Sequence, residues 1–109
     1  FIYSIDLAKL VMWVLEDYEK TDNLILSVSE KDEVSIKTVA ENIARAMDYE
    51  GHIKFDDSFA NGQYKKTADN TKLINELDNC GFEFVFTPLS KGIEESVSWF
   101  LNNYEKCRK

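Results

Sequence analysis

The chain has 109 residues, with 20 acidic and 13 basic side chains, and its formal net charge is −7. Hydrophobic residues make up 44% and charged residues 30%, a composition typical of a folded domain and not of a disordered chain. The excess of acidic side chains gives no indication of the basic surface that a nucleic-acid-binding domain needs. No apolar run approaches the roughly 18–20 residues of a membrane span. The sequence therefore predicts one globular domain, or one lobe of a larger protein, with neither a nucleic-acid nor a membrane partner.

Apolar residues recur at helical spacing in four stretches, 5–19, 36–48, 71–79 and 91–107. Asp6, or Ser4 before it, is placed to cap the first helix, and Ser35 and Ser90 are placed to cap the second and the last. In the first helix the predicted buried stripe is Leu7, Leu10, Val11, Val14, Leu15 and Tyr18. Trp13 broadens this apolar surface beyond one stripe, so we expect a helix that is covered on two sides, one of them by a missing part of the protein.

Three short apolar or alternating runs, 24–28, 52–56 and 82–86, are typical of strands, although the third is equally compatible with an extended link. Two or three short strands are too few for a doubly wound nucleotide-binding sheet. The predicted fold is therefore α+β and mostly helical, with about four helices and two or three short strands.

Residues 57–70 form the one long stretch without periodicity, and loops of this length in a compact chain often carry function. Gly62 would let the backbone turn tightly or approach a ligand closely. Lys65 and Lys66 follow it, and a lysine ammonium is a compact charge suited to a phosphate oxygen. A solvated pair of lysines without a ligand is the alternative interpretation of the same residues.

Catalytic and metal signatures are missing from the sequence. Cys80 and Cys107 stand 27 positions apart and His52 is the only histidine, so a zinc site is not expected. Two reduced thiols in a cytoplasmic protein explain the cysteines, with a Cys–His nucleophilic pair as the less favoured alternative. The four glycines are isolated from one another, so no phosphate-binding glycine motif is present.

Several stretches taken together resemble the GDP-L-fucose synthase family, whose members are extended short-chain dehydrogenases/reductases. The matching stretches include Phe1-Ile2-Tyr3-Ser4-Ile5-Asp6-Leu7-Ala8, Ile25-Leu26-Ser27-Val28, Asn61-Gly62-Gln63-Tyr64-Lys65-Lys66 and Gly92-Ile93-Glu94-Glu95. The first stretch is shared by many nucleotide-sugar epimerases and dehydratases. The glycine–lysine loop is more specific to the fucose synthase group.

The resemblance implies that residues 1–109 are a single C-terminal substrate-binding lobe, with the NADP-binding Rossmann domain and the catalytic residues lying upstream. The parent enzyme would epimerise GDP-4-keto-6-deoxy-D-mannose at C3 and C5 and reduce C4 with NADPH, and would be a homodimer through the upstream domain. Within this chain, Lys66 resembles the lysine that contacts the GDP-sugar diphosphate, with Gly62 and Lys65 as weaker substrate-binding candidates. Cys80 and His52 do not stand in the family's catalytic motifs, so the lobe alone is expected to bind no cofactor and to be inactive.

The first residue is Phe and the chain opens directly on a helix signal, which also favours a piece of a longer protein. Two alternatives stay open. One is the C-terminal lobe of another nucleotide-sugar epimerase or reductase, and the other is a free-standing, non-catalytic binding module.

Overall fold

A computed structural model describes residues 1–58 and 68–107 of the chain. Its helices are α1 (Ser4–Asp17), α2 (Ile36–Ala46), α3 (Thr71–Cys80) and α4 (Leu89–Asn103), and a short 3₁₀ turn spans Glu30–Asp32. The mostly helical architecture with four α-helices is confirmed. None of the helices in the described ranges is both long and apolar enough to span a membrane.

The starts of α2 and α4 test two of the capping predictions, and one is confirmed and one is wrong. The Ser35 hydroxyl accepts the Thr38 N–H at 3.0 Å and caps α2, as predicted. The predicted Ser90 cap is wrong, because Pro88 takes the N-cap position and α4 already begins at Leu89. Proline cannot donate a main-chain hydrogen bond, and its restricted φ suits the start of a helix, so α4 starts earlier than a serine cap would allow.

The largest apolar cluster lies between α1 and α3. Its fully buried members are Leu10 and Trp13 from α1 and Leu73 and Leu77 from α3. Partly buried side chains pack around it, namely Ile2, Val14, Tyr18, Leu24, Leu26, Phe84 and Phe86. Helices α2 and α4 pack against each other as a second pair. The core is small, because only a few side chains per helix are removed from water.

The first turn of α1 is buried differently from the prediction. The Asp6 carboxylate does not cap the helix; it is 2% exposed and accepts hydrogen bonds from Thr87 instead. Leu7, Val11 and Leu15, predicted to face the core, are 37%, 41% and 75% exposed. The bulky Trp13 occupies the core beside Leu10. Because this side of α1 faces the core, the side that carries Leu7, Val11 and Leu15 faces outward.

The predicted strands 24–28 and 52–56 are absent from the described part of the chain, and 82–86 joins α3 to α4 without forming a strand, in line with its alternative interpretation as a link. The period-two pattern survives in part, since Leu24, Leu26, Phe84 and Phe86 pack on the core while Ile25 and Val85 are 51% and 87% exposed. A strand needs a neighbouring backbone for its ladder of hydrogen bonds, and no other described segment pairs with these runs. The alternation of apolar residues thus decides which side chains of these runs are buried, but the runs form no sheet in the described residues.

The chain exposes much more surface than an isolated domain of its size. Its accessible surface is 9040 Å², whereas a compact monomer of 12.6 kDa exposes about 6200 Å². Its radius of gyration is 16.9 Å, against about 13 Å expected for a compact domain of this length. Large apolar side chains are among the exposed residues, as on the outer face of α1.

Candidate functional site

A cleft of about 740 Å³ lies between the beginnings of α1 and α4 on one side and residues 28–34 on the other. Tyr3, Thr87 and Gly92 line the helical side, and Lys31 and Asp32 lie on the opposite wall. Concave sites with a mostly apolar lining and a few polar groups are where small molecules bind. This larger cleft is thus the first place to look for a ligand among the described residues.

Tyr3 fixes the helical wall of the larger cleft. Its hydroxyl donates to the Glu95 carboxylate at 2.8 Å, and this hydrogen bond raises the pKa of Tyr3. Its ring lies over Gly92, where an added Cβ would come within 3.3 Å of the tyrosine. The absent side chain of Gly92 therefore lets the segment before α1 lie directly against α4.

A smaller cleft of about 260 Å³ adjoins the first. The two share Phe1, Val28, Glu33 and Val34 in their walls. Ser27 and Ala68 also line the smaller cleft. Ala68 is the first described residue after the 59–67 segment, so the described part of the chain resumes at this cleft.

Short polar turns flank residues 59–67 on both sides in the sequence. On the N-terminal side, the Asp56 carboxylate accepts the Ser58 hydroxyl at 2.6 Å and its N–H at 3.0 Å. On the C-terminal side, the Asp69 carboxylate accepts the Thr71 N–H at 2.9 Å, at the start of α3. These serine and threonine hydrogen bonds, the side-chain ones first, lower the pKa of both aspartates by favouring the ionised form.

Asn70 ties the start of α3 to the wall of the smaller cleft. The residue is 7% exposed, and its Nδ2 donates to the Ser27 carbonyl at 3.0 Å. Asparagine at an N-cap position usually bonds its own helix, but here the Asn70 side chain makes no such bond. Sequence reasoning missed this role, because an asparagine directly before a predicted helix indicates a helix cap and not a bond to a distant carbonyl.

The predicted substrate-binding residues Gly62, Lys65 and Lys66 lie in 59–67, outside the described residues. What the structure adds is the framework on either side of them, namely the turns at Asp56 and Asp69.

The remaining polar candidates form no reactive cluster in the part of the chain that the structure describes. Cys80 and Cys107 are free thiols, and each donates to a carbonyl three residues earlier, of Leu77 and Tyr104 respectively. No group of three or more His, Cys, Asp or Glu among residues 1–58 and 68–107 could hold a metal ion.

The fold has a solved counterpart over its whole length. A crystal structure of a GDP-L-fucose synthetase from Naegleria fowleri matches the full chain with a TM-score of 0.87 and 43% sequence identity. The match covers 33% of that protein. At this identity and coverage, the chain and the matched third of that protein share one fold.

Curated sequences of the same name also match the chain over its whole length. The chain is 50% identical over all 109 residues to the GDP-L-fucose synthase of Dictyostelium discoideum, and 44% identical to a probable GDP-L-fucose synthase of Drosophila melanogaster. No protein-family model matches the chain. The chain is thus a homologue of the C-terminal part of GDP-L-fucose synthases, and it spans about a third of the length of these relatives.

Proposed function

We propose that this chain is the C-terminal, substrate-binding part of a GDP-L-fucose synthase. The observation that carries the proposal is the 50% identity to the Dictyostelium discoideum enzyme across every residue of the chain. The whole protein would convert GDP-4-keto-6-deoxy-D-mannose to GDP-L-fucose by epimerisation at C3 and C5 and NADPH-dependent reduction at C4. The contribution of this lobe is to hold the GDP-sugar in place for chemistry carried out elsewhere, so that binding supplies orientation.

The exposed surface supports a role as one part of a larger body. The excess over a compact monomer is about 2800 Å², and areas of that order are buried in permanent interfaces. The outer face of α1, with Val11, Met12 and Leu15, is a natural contact for the rest of the enzyme. We therefore propose that residues 1–109 form one lobe that packs against a cofactor-binding domain.

NADP is proposed to bind in that other domain. The glycines of this chain are isolated, and a dinucleotide pyrophosphate needs a glycine-rich turn leading into a helix, so these residues do not fit the cofactor. The dimer contact is proposed to lie in the other domain too. The two free thiols are compatible with a reducing cytoplasm, where we place the protein.

Within the lobe, we propose Lys66 as the residue that binds the diphosphate of the GDP-sugar, with Lys65 and Gly62 in supporting positions. A lysine can donate up to three hydrogen bonds to phosphate oxygens, and it neutralises part of their charge. The location of Ala68 in the wall of the smaller cleft supports the proposal, because only Thr67 separates it from Lys66 in the sequence.

The proposal is tested on the full-length protein, with GDP-4-keto-6-deoxy-D-mannose and NADPH as substrates. Formation of GDP-L-fucose, together with much weaker turnover of UDP- and dTDP-linked 4-keto-6-deoxy sugars, is the expected result. Preference for a UDP- or dTDP-sugar would assign the chain to a different nucleotide-sugar enzyme. Residues 1–109 alone are expected to consume no NADPH, and tight GDP-sugar binding by them alone would favour a free-standing binding module.

A further inference from the structure

We propose that residues 24–28 add as an edge strand to the sheet of the cofactor-binding domain, and that the outer face of α1 covers the same sheet. This interaction rests on the proposed function, because it states how the lobe joins the domain that would bind NADP. The occupant of the surface is a sheet edge in the rest of the same polypeptide.

The main chain of 24–28 lacks the partners of a strand. Within residues 1–58 and 68–107, none of its N–H or C=O groups bonds another main-chain group. Leu24 and Leu26 pack on the core while Ile25 is 51% exposed, which is the alternation of an extended chain. A partly buried, extended run with free N–H and C=O groups is a template to which another strand adds.

The hydrogen bond from Asn70 shows which edge of the run is free. In an extended chain, the N–H and C=O of one residue point to one edge and those of the next residue point to the other. The Ser27 carbonyl accepts Asn70 Nδ2 at 3.0 Å, so the edge that carries the main-chain groups of Ile25 and Ser27 faces the start of α3. The opposite, pairing edge carries the main-chain groups of Leu24, Leu26 and Val28.

The composition of 24–28 suits a strand that is covered on both faces. Its outward side carries the apolar Ile25, in addition to the leucines on the core side. Strands buried on both faces of a parallel sheet are near-continuous apolar runs. The run 82–86 has the exposed Glu83, and 52–56 has the exposed His52 and Lys54, so these two runs suit a strand of this kind less well.

Helix α1 supplies the layer that covers the sheet. Its exposed residues Leu7, Val11 and Leu15 follow one another at a spacing of four and form one apolar stripe. Residues 18–23 connect α1 to the 24–28 run, and a helix that leads into a parallel strand packs on the face of that strand's sheet. The opposite side of α1 is buried against α3, so α1 lies between the core of the lobe and the sheet.

The size of the exposed surface favours a sheet of the same polypeptide over a second copy of the lobe. The chain covers 33% of its listed fucose synthase relatives, so about two-thirds of such a protein has no counterpart here. The excess surface of about 2800 Å² is of the order buried in permanent interfaces. Two lobes joined through 24–28 would form only a two-stranded ribbon, which is marginally stable in water.

Residue-resolved amide hydrogen exchange of the full-length protein tests the strand pairing. The amides of Leu26 and Val28 should exchange about 100-fold or more slowly than those of an unpaired chain, because their N–H groups lie on the pairing edge. The amides of Ile25 and Ser27 are the internal control. They point to the edge that faces α3 and should exchange at least about tenfold faster than those of Leu26 and Val28.

The chain's two methionines test the contact of α1. Met12 on the outer face of α1 and Met47 at the end of α2 are 52% and 43% exposed in the lobe. Hydrogen peroxide converts accessible methionine to its sulfoxide. In the full-length protein, Met12 should be oxidised at least about tenfold more slowly than Met47, because the sheet covers only Met12. Equal rates would overturn the covering role of α1.

A pair of proline variants of the full-length protein distinguishes the two edges. Val28→Pro removes an N–H from the pairing edge, and Ile25→Pro removes one from the edge that faces α3. Alanine at each position is the control for the lost side chain. Relative to alanine, proline should lower the melting temperature more at position 28 than at position 25. An equal or larger effect of proline at position 25 would contradict the assigned edge.

The exchange experiment also separates this interaction from the proposed function. Fast exchange at Leu26 and Val28 in a protein that forms GDP-L-fucose would overturn the strand addition and leave the proposed function intact. Slow exchange without GDP-L-fucose formation would overturn the proposed function and still support strand addition to the rest of the polypeptide. Protection that is lost on dilution, as copies of the protein separate, would assign the edge to a second copy and overturn the proposed occupant.

Discussion

The Asp6 carboxylate accepts the Thr87 main-chain N–H at 2.6 Å and the Thr87 hydroxyl at 2.9 Å, across 81 positions of sequence. These bonds join the first turn of α1 to the residue before Pro88, where α4 is about to begin. Tyr3 adds a second link between the same regions through Glu95. The helical wall of the larger cleft therefore depends on hydrogen bonds between the two ends of the chain.

Asp6→Ala should destabilise the full-length protein by about 1.5–3 kcal/mol, the usual contribution of a hydrogen bond to a charged group. The loss includes the cost of leaving the Thr87 N–H unpaired in a partly buried position. Thermal or denaturant unfolding measures the change. Thr87→Val, which removes only the hydroxyl, should cost less, and equal losses for the two variants would contradict the assigned role of the main-chain bond.

Substitutions at Gly92 should distinguish the effect of helix propensity on stability from the effect of packing against Tyr3. Alanine gains about 1 kcal/mol of helix propensity over glycine, but its Cβ would lie 3.3 Å from Tyr3, so we expect Gly92→Ala to be close to neutral. Gly92→Leu needs more room than a small shift of the tyrosine ring provides, and it should cost about 1–3 kcal/mol. Ser98→Leu, at an exposed position of α4, is the size-matched control in the same unfolding measurement and should have little effect.

Lys66→Ala in the full-length protein should raise KM for the GDP-sugar about 10- to 150-fold, because one charged hydrogen bond contributes about 1.5–3 kcal/mol. Steady-state kinetics with varied GDP-sugar and saturating NADPH measures the effect. Lys65→Ala removes the same charge one position earlier and should have a smaller effect. Equal and small changes for both lysines would show that they are solvated and contact no ligand.

Stability in acid should depend on Asp69. Hydrogen bonds from the Thr71 side chain and N–H lower the pKa of Asp69 from its ordinary value of 3.8. A carboxyl group whose pKa is lower in the folded state stabilises the protein above its unfolded pKa, and this contribution is lost as the pH falls through the folded value. We therefore expect the stabilisation by ionised Asp69 to be present above about pH 4 and to be lost as the pH falls below that value.

Asp69→Asn should lower the melting temperature at pH 6 and have progressively less effect as the pH falls below 4. Melting curves from pH 2 to 7 measure this convergence. Asp57→Asn removes an exposed carboxylate on the other side of the 59–67 segment and is the control for net charge. A constant difference between Asp69→Asn and the parent protein at every pH would show that the ionised form of Asp69 has no special role.

Helix number and most helix positions could be predicted from the sequence because apolar spacing and capping residues act locally. Ser35 demonstrates this, since its hydroxyl bonds the N–H three residues on. Leu15 shows the limit of the same reasoning, because it belongs to the predicted buried stripe of α1 and yet is 75% exposed. Periodicity cannot tell which of two apolar faces meets the core.

The lysine site, too, is predicted from local residue types alone, through its glycine and paired lysines, and it stays a prediction. The sequence by itself thus determined the helices, the absence of a glycine-rich cofactor motif and the homologous family, all of which depend on residues close together in the chain. The tertiary structure alone decided that Asp6 would bond Thr87, that Asn70 would bond Ser27, and that alternating apolar runs would form no sheet in the described residues. Each of these outcomes depends on which distant backbone lies within hydrogen-bonding distance, and no local pattern of residues contains that information.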